Sequence, residues 1–221
     1  MSKSFDLLIF DWDGTLMDSE AHIVHCLEHA LRAVEAPVGS AQELKQVIGL
    51  GLDEAMRALL PEASHAEIQQ SAEAFRQQFL SGHATPSVLF PQVQASLADF
   101  SRSGYLLAVA TGKSRRGLDK VLQQTGLNDL FAVTRCADET FSKPHPRMLE
   151  EILVDLDTSP ERALMIGDTE YDLQMAASIG MPAVGVSYGV HDSERLQNHA
   201  PLDILPSFQA FAEWLADNER G

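Results

Sequence analysis

Residues 5–16 read FDLLIFDWDGTL, and this stretch decides the fold. Phe5 to Phe10 is a short, mostly apolar run that ends in a Gly turn at Gly14. Its length and boundary fit a buried parallel strand better than a helix. Side chains two apart in extended backbone share a side, so Asp11 and Asp13 project together beyond the strand's carboxyl end. That edge of an open parallel sheet is where ligands bind. Gly14 permits the tight turn that follows. Taken alone, the same four residues read equally well as an ordinary surface turn, since Asp and Gly are common there.

Working outward, four further apolar runs follow, at Tyr105–Ala110, Phe131–Arg135, Ala163–Ile166 and Ala183–Ser187. Helical patterns separate them. Ser114 caps a helix carrying Leu118, Val121 and Leu122, with Gly126 as its stop. Pro146 opens the next, with Leu149, Ile152, Leu153 and Leu156 on one face. A helix after Asp168 runs to Gly180, and a last one starts at Ser207. Strands alternating with helices predict an α/β fold, a Rossmann-like parallel sheet with helices on both faces. The first strand does not lead directly to the second. Between about Met17 and His83 no convincing strand is visible, and four helical patterns appear instead, centred on Ile23–Val34, Leu44–Ile48, Ala55–Leu60 and Ile68–Phe79. The expected division is a discontinuous core, residues 1–16 and 84–221, and a helical bundle, residues 17–83, inserted after the first strand. Internal repeats and low-complexity segments are not evident.

Three more elements fall at predicted strand ends. Thr111 and Gly112 follow the second strand, where a hydroxyl and backbone amides can hold a phosphate oxygen. Lys143 lies in Ser142-Lys143-Pro144 after the third strand, and Asp168 and Asp172 follow the fourth, one helical turn apart. Each has a plainer reading: a loop start, a solvated lysine, a helix cap. Together they bring at least three carboxylates and one ammonium to one crevice. Two carboxylates about 4 Å apart repel by roughly 4 kcal/mol at an effective dielectric near 20, and one lysine does not neutralise the group. A divalent cation does, and an all-oxygen set selects magnesium over zinc.

The totals narrow the function classes. The chain has 221 residues, 45% of them hydrophobic, and a formal net charge of −16. That acidity argues against nucleic acid and anionic membranes as partners. No apolar stretch approaches the ~20 residues of a membrane span, and Asp11 comes too early for a signal peptide. Cys26 and Cys136 show no metal or disulfide spacing. They read as free, buried thiols, in keeping with a cytoplasmic location.

With these residues placed, the sequence resembles the haloacid dehalogenase-like superfamily, in its phosphoglycolate phosphatase-like branch. The resemblance rests on DWDGTLMDS at 11–19, ATG at 110–112, KPHP at 143–146 and GDTEYD at 167–172, and it spans essentially the whole chain. It implies that Asp11 is the nucleophile forming an aspartyl phosphate, and that Asp13 protonates the leaving alkoxide and then activates water. It implies that Thr111, Gly112 and Lys143 bind the phosphoryl group. The Asp11 carboxylate, the Asp13 main-chain carbonyl and Asp168 would ligate magnesium, with Asp172 acting through water or by orienting Lys143. The insertion would be a helical cap, with Gly49-Leu50-Gly51-Leu52 facing the substrate or serving only as a helix stop. Asp18 and Ser19 extend the first motif at the hinge. The expected activity is hydrolysis of small phosphate monoesters, phosphoglycolate among them, by a monomer or homodimer. A sugar phosphomutase and a non-catalytic phospho-ligand module are the alternatives.

Overall fold

The structure is a computed structural model that describes residues 3–81 and 87–218. Its centre is strand β1, Leu7–Phe10, all four residues of which are fully buried. Burying side chains of this size contributes about 1.5–3 kcal/mol each. Alternation along β1 sends them to opposite faces: Leu8 and Phe10 join one apolar cluster, Leu7 and Ile9 another. A strand buried on both faces belongs in the middle of a parallel sheet, and β1 lies between strands β4 (Leu106–Thr111) and β6 (Ala163–Gly167). With β5 (Val133–Cys136), β7 (Ala183–Val186) and β8 (Ile204–Leu205), the order is β5-β4-β1-β6-β7-β8, all parallel.

Helices cover both faces. Helices α5 (Val93–Arg102), α6 (Arg115–Thr125) and α10 (Phe208–Asn218) supply Leu97, Leu118 and Phe211 to the first cluster. Helices α7 (Arg147–Asp155) and α8 (Glu170–Ala177) supply Leu149, Ile152 and Met175 to the second. Ser114 caps α6 by accepting from the Gly117 amide at 3.2 Å, and Gly126 ends it, as read from the sequence. The Ser207 hydroxyl likewise accepts from the Ala210 amide at the start of α10.

The insertion is four helices: α1 (Glu20–Ala33), α2 (Ala41–Lys45), α3 (Leu52–Leu59) and α4 (His65–Ser81). They share a third apolar cluster of their own, built on Leu27, Leu31, Leu44, Met56, Ile68 and Ala72. Helix α2 is shorter than its pattern suggested: Val47 and Ile48 lie beyond it, yet both are buried.

The structure departs from the expectation in the entry to the insertion. Met17–Asp18 is a strand, β2, paired antiparallel with β3, Val88–Leu89. A two-residue ribbon has no periodicity to read, and its partner is about 70 residues away in sequence. The expected return to the core at 83/84 lies outside the described residues. The third core strand also starts two residues later than FAVTR and ends one later. Phe131 packs into the first cluster before β5 begins, so its apolarity marks core rather than strand. Helices α5 and α9 (Ser193–Gln197) and strand β8 were not read from the sequence at all.

Candidate active site

The adjacency of β4, β1 and β6 places Thr111, Asp11 and Asp168 at neighbouring strand ends. The Asp11 amide continues the ladder by donating to the Ile166 carbonyl at 2.9 Å. The chain then turns sharply: the Trp12 carbonyl accepts from the amides of Leu16 and Met17, and the Gly14 amide donates to the Met17 carbonyl at 2.8 Å. Gly14 has φ +86°, and a Cβ there would lie 2.1 Å from Asp168 Oδ2. The turn therefore needs glycine twice over, for its backbone angle and for the approach of the acid. Thr15 Oγ1 donates to Asp168 Oδ1 at 2.7 Å, and the Val190 amide donates to Asp168 Oδ2 at 2.8 Å, which fixes that carboxylate from both sides.

Lys143 stands between two acids, its Nζ 2.7 Å from Asp11 Oδ1 and 2.6 Å from Asp172 Oδ1. All three side chains are buried. Asp172 Oδ2 is occupied by the Thr169 hydroxyl at 2.7 Å and the Thr169 amide at 3.2 Å. One ammonium against three carboxylates leaves an excess of negative charge in a dry place. Burial pushes the Asp11 carboxyl up to about 7, with Lys143 opposing and Asp172 and Asp13 adding to the rise. Burial, then Asp11 and Asp172, hold Asp168 well above the usual carboxylate range. Burial disfavours the Lys143 ammonium, but Asp11 and Asp172 outweigh it and keep its pKa raised.

The sequence reading counted a single ammonium, and the structure corrects that. Lys113 Nζ lies 2.7 Å from both carboxylate oxygens of Asp13, and both residues are buried. The Ser19 hydroxyl also donates to Asp13 Oδ1 at 2.6 Å, so a residue expected only at the hinge makes a direct contact at the site. Lys113 was legible in principle. It stands two after Thr111 in the loop leaving β4, the same spacing that grouped Asp11 with Asp13.

The insertion closes over these groups. The Gly51 amide donates to Ser142 Oγ at 2.7 Å, one residue before Lys143. The carbonyls of Gly49 and Leu50 press on Gly112, whose Cβ, if present, would meet them at 2.6 and 2.5 Å. The Tyr171 hydroxyl donates to the Gln46 carbonyl at 2.7 Å, and Arg195 pairs with Glu170 and reaches Gln46 Oε1. Between insertion and core lies a cavity of about 870 Å³, lined by Asp11, Asp13, Thr111, Gly112 and Lys113 below and by the 49–52 loop and Phe79 above. Lys45 and Arg57, the cations nearest that loop in sequence, do not line it. They pair with Glu20 at 2.6 Å and Glu54 at 3.6 Å.

These acids suit a hard divalent cation. Oxygens of Asp11, Asp168 and Asp172 lie within 4.8 Å of one another. Asp11 Oδ2 is buried and makes no hydrogen bond among the described residues. An oxygen-only set with one unsatisfied buried carboxylate oxygen matches a cation that takes oxygen ligands. Asp172 is engaged by Lys143 and Thr169, which fits orientation of the lysine. Cys26 and Cys136 are free and buried, and burial pushes both thiols up to about 12. No helix among the described residues is long and apolar enough to cross a membrane.

Comparison with known proteins agrees with this geometry. The family model described as haloacid dehalogenase-like hydrolase matches residues 8–186. The "Probable phosphatase IndB" of Dickeya dadantii is 35% identical over 208 residues, covering 91% of this chain and 90% of that protein. A phosphoglycolate phosphatase of Vibrio cholerae is 32% identical over 211 residues, covering 90% and 92%. Among solved structures, a predicted phosphoglycolate phosphatase from Haemophilus somnus superposes with a TM-score of 0.86 at 26% identity, over 97% of this chain and 98% of that one.

Proposed function

The chain belongs to the haloacid dehalogenase-like hydrolases and is a phosphatase of that family, and from that premise we propose that it hydrolyses small phosphate monoesters with magnesium, through an aspartyl phosphate on Asp11. The observation that carries this reading is the state of the Asp11 carboxylate. It is 1% exposed, one oxygen faces Lys143, and the other makes no hydrogen bond among the described residues although Asp11 lines the cavity. A buried polar atom without a partner is costly, and here it is poised toward the space a phosphoryl group would enter.

In this mechanism Asp11 forms a bond to phosphorus while the ester P–O bond breaks, and Asp13 gives its proton to the departing oxygen. Asp13 then takes a proton from the water that cleaves the acyl phosphate, which restores Asp11 and releases inorganic phosphate. The Thr111 hydroxyl, the Gly112 amide and Lys143 hold the phosphoryl oxygens, and Asp172 keeps Lys143 in place. Asp11, Asp168 and the main-chain carbonyl of Asp13 would hold magnesium, which supplies positive charge against the phosphoryl oxygens. Residues 17–83 act as a cap that excludes water when closed. The two unpaired thiols fit work in the cytoplasm.

Phosphate release from a panel of monoesters, with and without magnesium, tests the activity. Turnover should depend on the metal, and Asp11→Asn should abolish it. Full turnover by the Asp11→Asn variant would falsify the nucleophile assignment.

A further inference from the structure

The cavity under the cap has a wall chemistry that a carboxylated substrate does not need. Besides the Asp11 and Asp13 carboxylates, Asp53, Glu54, Glu73 and Asp138 line it, against the three cations Arg76, Lys113 and Arg116. Two of these cations are already engaged. Arg76 pairs with Asp53 at 3.3 Å and Glu73 at 3.7 Å, and Lys113 is held by Asp13. Arg116 is exposed on the core side. A magnesium ion in the phosphoryl site offsets two negative charges, and an incoming phosphoryl dianion brings two back. Asp53 and Glu73 share Arg76, and Glu54 pairs with Arg57, which leaves a small excess of exposed carboxylate at the rim to oppose a second anionic group on the substrate.

What the cap does offer is apolar and flat. Ile23, Leu27, Leu50, Leu52, Phe75 and Phe79 face the same cavity. Phe75 and Phe79 stack with centroids 5.8 Å apart and planes at 15°. Lys113 Nζ sits 4.6 Å from the Phe79 ring centre, which places that ring beside the Asp13–Lys113 pair where the leaving oxygen would be protonated. A volume of about 870 Å³ is in the range of pockets that enclose drug-sized ligands rather than two-carbon acids.

We infer that the substrate is a phosphate monoester of an uncharged alcohol bearing an apolar ring, with Phe79 as the specificity-determining contact. The inference rests on the phosphatase reading and narrows it: the ester's alcohol half lies against the aromatic wall and carries no carboxylate. His22 packs on the Phe79 ring at 4.7 Å, so apolar contact with the Phe75–Phe79 wall, rather than a free stacking face, gives the binding energy, and the carboxylate excess at the rim disfavours phosphoglycolate.

The test compares kcat/KM for benzyl phosphate, methyl phosphate and phosphoglycolate with magnesium present; these leaving alcohols are all alkoxides, so no aryl leaving group biases the comparison. Benzyl phosphate should exceed phosphoglycolate at least tenfold. Phe79→Ala should raise KM for benzyl phosphate several-fold and leave methyl phosphate little changed, a split that a general loss of cap packing does not produce. Glu73→Gln, at an exposed position, should improve kcat/KM for phosphoglycolate and not for benzyl phosphate. Phosphoglycolate equal to or better than benzyl phosphate overturns the inference while the phosphatase reading stands. Failure of all three esters to turn over removes the phosphatase reading, and the inference falls with it.

Discussion

Replacing Gly112 with alanine separates cap closure from backbone strain. The new Cβ would lie 2.5 Å from the Leu50 carbonyl oxygen and 2.6 Å from that of Gly49. Ordinary contact begins near 3.4 Å, so cap and core must part by about 0.9 Å at this point, and both obstructing atoms are backbone. Two responses are open. If the cap holds its place, the strain costs about 1–3 kcal/mol, as other overpacked sites do. If the cap tilts away, stability changes little but the cavity opens to water and the substrate loses its register. A misplacement of about 1 Å at a reacting centre costs on the order of 100-fold in rate. The cap is joined to the core through the single β2–β3 ribbon, a few polar contacts and limited apolar packing such as Val190 against the cap cluster, so tilting is the easier path. The expected result is a fall in kcat/KM of about 100-fold with a Tm lowered by only a few degrees. Gly126→Ala is the control. Its φ of +68° strains alanine by about 1–2 kcal/mol, but its Cβ would meet nothing within 4 Å among the described residues, so stability should fall and kcat/KM should not. Activity within twofold of the parent for Gly112→Ala, with an unchanged Tm, would show that the closed cap is not the working state.

Chelation should abolish turnover and magnesium restore it; at about 100 times its Kd, magnesium should also stabilise the fold by roughly 2.7 kcal/mol, and Asp11→Asn should shrink that gain in a thermal melt. Lys113→Met leaves the Asp13 carboxylate buried without its cation, at a cost of about 3–5 kcal/mol; adding Asp13→Asn should recover most of the stability but none of the activity, and additive losses in this double-mutant cycle would refute the pairing. His191 is buried, and desolvation first, then Arg195, depresses its pKa to about 4. The folded protein therefore binds fewer protons there than the unfolded chain, and the contribution of this residue is present above about 6.5 and lost as pH falls toward 4. Urea unfolding should show up to about 3 kcal/mol less stability from this group at the acid end, and His191→Gln should flatten that part of the profile.

How much of this was legible depended on locality. β1 was readable because four consecutive apolar residues, a pair of acids two apart and a glycine lie within one short stretch. Thr111 and Asp168 were readable because each stands at the end of an apolar strand, and Lys143 because FAVTR marked a third strand although β5 itself carries Thr134 and Arg135, so a sheet edge could be assembled from five separate runs. The β2–β3 ribbon was not, since two residues pair with two others across the whole insertion and neither pair has a pattern. Helix α5 has an ordinary amphipathic face, with Val93, Leu97 and Phe100 buried at helical spacing, so the sequence does carry its signal. β8 is two residues long and exists because β7 offers an edge. The closure of Gly49 and Leu50 on Gly112 is fixed by how the insertion, with its own apolar cluster, is placed against the core, which no window of sequence encodes.

The second ammonium changes the charge argument from a qualitative need for positive charge into a stoichiometry. Asp11, Asp13, Asp168 and Asp172 carry four negative charges when ionised, and Lys113 and Lys143 return two. The remainder is that of one dication. A single magnesium ion brings this count to zero in the substrate-free site, whereas without it burial raises the Asp11 and Asp168 carboxyls. A second dication would leave the site as far from neutrality as having none. Calorimetric titration should therefore find one magnesium per chain, with proton release on binding near neutral pH as Asp11 gives up its proton; two metals bound with similar affinity, or binding without proton release, would contradict this balance.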